Sequence, residues 1–221
     1  MRRGGVTGAA LLLAALVAPS AHAEACAPVA DVGSASAVGA IDPELRLTWI
    51  DGELARSARH ARQWTWGWGV ALGAGTVGNL VPLTFVSRDA RVDWYTGAVT
   101  TAVGIVPLLI APLDVVGDSR QLRARLAAAP LPGADVCSLL ADAETRLVRD
   151  AKNQADGRRW WLHVGNVLLN AGVGAFLIVG YHHWGAGLFN GAFGAAIGEG
   201  IILTQPTGAI DSLARYREGS L

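Results

Sequence analysis

Four apolar stretches, each opened by a tryptophan, restrict this chain more than any other feature. They cover 64–86, 94–113, 160–181 and 184–204, and Trp64, Trp66, Trp68, Trp94, Trp160, Trp161 and Trp184 sit at or near their first residues. An indole placed this way suits a lipid headgroup boundary, because its body is apolar and its N–H is wet. A helix of ~20 residues spans a hydrocarbon core of ~30 Å, and each stretch reaches that length. None contains Asp, Lys or Arg, and Glu199 is the only carboxylate among them. The spacing therefore predicts an all-α membrane protein with four transmembrane helices. A β-barrel would need ~10-residue segments of alternating polarity, which runs such as Val167-Leu168-Leu169 do not give.

Composition agrees: hydrophobic residues make up 52% of the chain and charged residues 16%, with a mean hydropathy of +0.35. Most of the 28 glycines fall inside the four stretches. In water an interior helix glycine costs ~1 kcal/mol relative to alanine. In lipid, small residues are favoured because they let helix backbones approach.

The N-terminus reads as a secretory leader over 1–23. Arg2 and Arg3 form a basic region, 9–17 is a short apolar core, and Ala21-His22-Ala23 offers a cleavage site, so the mature chain starts at Glu24. Removing two arginines from a formally neutral chain leaves −2, which argues against a nucleic-acid partner. Export of the following segment places Cys26 outside an inner (plasma) membrane, and two spans later Cys137 returns to the same side. A Cys26–Cys137 disulfide can form in that compartment; two unpaired thiols are equally compatible with the sequence. The basic residues count the other way. Only Arg88 and Arg91 would occupy cytoplasmic loops, with Arg56, Arg59, Arg62, Arg149, Lys152, Arg158 and Arg159 outside.

The chain also reads as two copies of one unit. Residues 46–59 align on 139–152 at an offset of 93, pairing Leu47 with Leu140, Ile50 with Ala143, Leu54 with Leu147, Arg56 with Arg149 and Ala58 with Ala151. The spans continue at 96 (Trp64 with Trp160, Gly78 with Gly174) and 94 (Gly97 with Gly191, Gly104 with Gly198, Pro112 with Pro206). Each unit is an amphipathic helix followed by a membrane hairpin: helix 43–63 with spans 64–86 and 94–113, then helix 135–157 with spans 160–181 and 184–204. Residues 114–132 read as a linker and 207–221 as a polar tail. Because each unit crosses twice, the repeats are parallel, and both amphipathic helices share the exported side with the cysteines.

Chemistry within the membrane is sparse. Glu199 is the residue to explain, since an intramembrane carboxylate is costly unless paired or protonated. Gly187, Gly191, Ala195 and Glu199 follow one another at i+4 on one helix face, a small-residue packing stripe that aims Glu199 at a neighbour. In an antiparallel hairpin His163, Asn166 and Asn170 lie level with it, so the four polar residues can close one hydrogen-bonded network. His182-His183 reads as a solvated turn. No motif for a phosphate loop, nucleophile or metal is present, and neither a cofactor nor a metal is expected. The leading reading is a structural or interaction protein of the cell envelope, whose partners are the bilayer and either a second copy or another envelope protein. A small transporter or channel using Glu199 as its ionisable site comes next. A membrane-embedded enzyme, for which only His163 and Glu199 could start a site, ranks last.

Overall fold

The computed structural model describes residues 26–32, 35–110, 113–129 and 135–221. The leader, the end of the second apolar stretch and part of the 114–132 segment therefore lie outside the described residues. Among those described, every regular element is helical: a 3-10 turn at Ala30–Val32, α1 (Ala35–Val38), α2 (Pro43–Leu80), a second 3-10 turn at Val81–Thr84, α3 (Arg91–Ile110), α4 (Val115–Ala128), α5 (Val136–Asp156), α6 (Trp160–Tyr181), α7 (Trp184–Leu203) and α8 (Gly208–Arg217). Three of these helices, α3, α6 and α7, carry a window long and apolar enough to cross a membrane.

α2 starts where Asp42 accepts from the N–H groups of Glu44 and Leu45 and Pro43 takes the first helical position. It differs from the expectation of an amphipathic helix followed by a separate span. Nothing at 63–64 interrupts it, so one helix of 38 residues runs from the polar half of the molecule into the apolar half. It stops at Leu80 rather than Val86 because Pro82 has no N–H for the ladder and tightens the chain into the 3-10 turn.

The polar half is a cap with the main hydrophobic core. Leu47, Ile50, Leu54, Ala58 and Ala61 of α2 pack with Leu140, Ala143, Leu147 and Ala151 of α5, all buried. Two further helices close it. Residues 114–132, read as a linker, contain α4, which buries Val115 and Leu122 against α2 and α5; the tail contains α8, which buries Ala209, Leu213 and Tyr216 against the same pair. Cys26 and Cys137 are joined by a disulfide with Cα atoms 5.2 Å apart, tying the segment before α1 to the start of α5.

One fully buried ionic group sits inside this core. Arg46 donates through Nε to the Tyr216 hydroxyl at 2.8 Å and through Nη1 to the Cys26 carbonyl at 2.9 Å, and its Nη2 pairs with Glu144. Tyr216 donates in turn to Glu144 Oε1 at 2.5 Å, and the Val29 N–H reaches Oε2 at 2.8 Å. Each charge thus has several partners, the condition under which buried ions are tolerated. Burial, and then the Glu144 carboxylate, push the Tyr216 hydroxyl far above its usual range.

In the apolar half α2 pairs with α3 and α6 pairs with α7, two antiparallel hairpins that touch each other mainly where α3 meets α7. Only 11–19% of the residues in the three apolar windows are buried. Bulky residues such as Trp66, Phe85, Leu109, Leu168, Val179 and Phe189 face outward, an arrangement suited to lipid and not to water.

Candidate functional site

The α6–α7 hairpin is held by close backbone approach. A side chain at Gly187 would meet the Gly174 carbonyl at 2.7 Å, and one at Gly191 would meet the Asn170 carbonyl at 3.1 Å. Gly174, which the sequence marks only as the repeat partner of Gly78, is the reciprocal position, since a Cβ there would lie 2.8 Å from the Gly187 carbonyl. The structure thus brings the Gly187–Gly191–Ala195 stripe onto the third apolar helix.

That approach sets the polar groups of the two helices against each other. Asn166 donates through Nδ2 to the Ala195 carbonyl and to Glu199 Oε1, both at 2.9 Å. His163 Nδ1 lies 2.5 Å from Glu199 Oε2. Asn170 donates to both the backbone carbonyl and the side-chain oxygen of Asn166 at 2.9 Å. His163, Asn166, Asn170 and Glu199 therefore form one connected network in which both carboxylate oxygens are used. Two glycines not singled out from the sequence make room for it. A Cβ on Gly198 would collide with the Asn166 amide, and one on Gly194 with the Asn170 amide.

Depth matters for what such a network can do. His163 lies three residues into α6 and Glu199 four residues from the end of α7, so at ~1.5 Å per residue the His163–Glu199 contact sits about one helical turn beneath the cap. Asn170 lies near the middle of its helix. Above the pair, the indoles of Trp64 and Trp68 donate to the Thr204 hydroxyl at 3.1 and 3.0 Å, fastening α2 to the end of α7. The α2–α3 hairpin carries less polar chemistry. Thr76 and Thr101 share a hydroxyl–hydroxyl bond of 2.9 Å, and Gly97 leaves room for Asn79.

The opposite end holds a second cluster that sequence did not reveal. His183, expected in a solvated turn, has Nδ1 2.7 Å from Asp93 and Nε2 3.0 Å from Asp89, at the start of α3. With a carboxylate on each ring nitrogen both must donate, which favours imidazolium. The bonds to Asp93 and Asp89 raise the His183 pKa above its ordinary 6.5. The pair lies 90 and 94 residues away in sequence, so no local spacing points to it. Among the described residues no three His, Cys, Asp or Glu side chains are arranged to hold a metal ion.

No protein-family model, curated protein or solved structure matches this chain.

Proposed function

We propose that the protein is an integral component of the cell envelope's inner membrane with a structural or interaction role, built from four spans in two parallel repeats and carrying its cap on the exported side. The closure of the Glu199 network carries this reading. A carboxylate with each oxygen already bound by His163 or Asn166, on a hairpin packed through glycine, works as a fixed interhelical contact. The repeat reading draws support from burial. The aligned pairs Leu47/Leu140, Ile50/Ala143, Leu54/Leu147 and Ala58/Ala151 are all buried. At the 94-residue offset, so are Val115/Ala209, Asp118/Ser212 and Leu122/Tyr216, which extends each unit by one helix, α4 or α8.

One observation favours the transporter reading: the side chains of His163 and Glu199 remain 31% and 28% exposed, about one helical turn beneath the cap. Reconstitution separates the two. In proteoliposomes with an internal pH dye, the structural reading predicts no proton or cation flux above lipid alone, and a Glu199→Gln protein as stable as its parent. A flux carried by the parent and abolished in the equally stable Glu199→Gln variant would establish the transporter reading instead.

A further inference from the structure

Where the cap meets the apolar half, a cavity of about 430 Å³ opens between α2 and the turn that leads from α7 into α8. Buried Glu53 anchors it, accepting from Arg56 at 2.7 Å, from Arg215 at 2.9 Å and from the Ser212 hydroxyl at 2.8 Å. These bonds hold two guanidiniums in place and use few of their donors, since each has five N–H groups. The Arg56 and Arg215 side chains are half-exposed, and His60 joins them on the lining. On the rim Asp211 accepts from the Thr207 hydroxyl at 3.0 Å and keeps its second oxygen for another donor. Trp64, whose indole is fixed on Thr204, also lines the cavity.

The corresponding place in the other unit is built from different side chains. At offsets of 93 and 94, Arg56, Ser57 and His60 answer to Arg149, Asp150 and Asn153, and Gly208 and Ser212 to Asp114 and Asp118. There Asp118 takes Arg146 at 2.8 Å and also Arg149, while Asn153 donates to Asp114 at 2.8 Å. Three aspartates thus stand where the cavity has Ser57, Gly208 and Ser212. In one unit Asp118 holds Arg146 and Arg149; in the other Glu53 holds Arg56 and Arg215, whose remaining donors face the cavity.

We propose that this cavity binds the headgroup of a phosphoethanolamine lipid, with Arg56, Arg215 and His60 holding the phosphate and Asp211 accepting from the ammonium. Charge selects a zwitterion: the two guanidiniums are balanced by Glu53 and Asp211, so a net anion would leave a surplus negative charge beside two carboxylates. The planar donor fork of arginine fits phosphate oxygens. The inference rests on the membrane reading above, because the lipid is available only if Trp64 and Thr204 mark the headgroup level.

Thermal unfolding in detergent, titrated with phosphatidylethanolamine, phosphatidylcholine, phosphatidylglycerol or soluble phosphoethanolamine, tests it. Phosphatidylethanolamine should stabilise saturably and at lower concentration than the other three. Arg56→Gln and Asp211→Asn should each weaken its apparent affinity about tenfold, the loss of one charge-assisted contact. Glu53 keeps Arg215 and Ser212 in the first variant, and the second alters only the exposed rim, so either one folding suffices. Equal responses to the three lipids, unchanged affinity in the variants, or soluble phosphoethanolamine binding as tightly as the lipid would overturn the proposal. An alkaline carbonate wash of native membranes tells this failure from that of the membrane reading: protein left in the pellet keeps the latter intact.

Discussion

The cap and the apolar hairpins are held together by different means. In the cap, side chains meet side chains: a leucine–alanine core, a disulfide and the buried Arg46–Glu144–Tyr216 group. In the α6–α7 hairpin backbone meets backbone, Gly174 against Gly187 and Gly191, while in α2–α3 Gly75, Gly97 and Gly104 admit the side chains of Thr101, Asn79 and Leu72, and in both most bulky side chains point outward. On the proposed membrane placement the difference follows from solvent. Water drives apolar side chains together in the cap. Between helices in lipid that drive is missing, so close approach and a few hydrogen bonds must suffice. The cap should therefore fail through its buried polar groups, and the hairpins through added volume.

The largest effect should come from the cap. Arg46→Met removes one partner of a fully buried pair and leaves Glu144 charged beside Tyr216, at a cost of about 3–5 kcal/mol. Thermal unfolding in detergent should show it, and a melting temperature equal to that of the parent would mean that the ionic group contributes little.

Next comes volume in the hairpins. Gly191→Leu should cost about 2–3 kcal/mol by forcing α7 off Asn170 and Gly174. Gly73→Leu, at a position with nothing within 4 Å of an added Cβ, should be nearly neutral. Equal melting temperatures for the two variants would erase the contrast between packed and lipid-facing glycines.

A smaller gain is expected at Asp150. It is buried on α5, neither of its oxygens accepts a hydrogen bond, and the Asp118 carboxylate beside it can only receive a proton. Burial, then the Asp118 charge, raise its pKa from 3.8 to about 8. The sign is opposite to that of a salt-bridged aspartate. The folded state keeps a proton that the unfolded chain has released, so stability falls as pH rises from 3.8 towards 8 and levels off beyond. Asp150→Asn should remove that slope and stabilise the cap at neutral pH, by on the order of 2 kcal/mol. An unchanged pH profile in the variant would show that Asp150 is ionised in the folded protein.

The smallest effect belongs to the clasp between the hairpins. Because the His183 pKa is raised above 6.5, its contribution is complete below that pH and is lost as pH rises through the folded value. The distance between spin labels placed at Arg88 and His182, read by electron spin resonance, should lengthen in the alkaline range, and His183→Gln should abolish the dependence. A pH dependence retained in His183→Gln would assign it to another group.

Much of the apolar half was legible in the sequence. Helix α6 has the bounds of its apolar stretch, α7 ends within one residue of its own, and three-and-four spacing was enough to group His163, Asn166 and Asn170 on one face. Glycine revealed where the backbones approach, although Gly194 and Gly198 are explained only by the asparagine amides opposite them. Helices α4 and α8 were not legible. Their buried faces include Asp118, Ser119, Ala209 and Ser212, residues whose burial depends on α2 and α5 and not on their own hydrophobicity. His183 reads as solvated in the sequence because its carboxylates, Asp89 and Asp93, come from the other hairpin. The pairing of Arg46 with Glu144 and Tyr216 joins three distant helices, a relation that no local pattern encodes.

The account depends most on both hairpins crossing a bilayer, with their turns on the face opposite the cap. With Cys26 and Cys137 bridged, single cysteines introduced at Ala90, His182 and Ser220 can be probed by a membrane-impermeant maleimide in intact and in permeabilised cells. Residues 90 and 182 should behave alike, protected until the membrane is opened, and 220 should label from outside. Labelling of 90 together with 220 in intact cells would show that the α2–α3 hairpin does not cross, and the four-span architecture would fall with it.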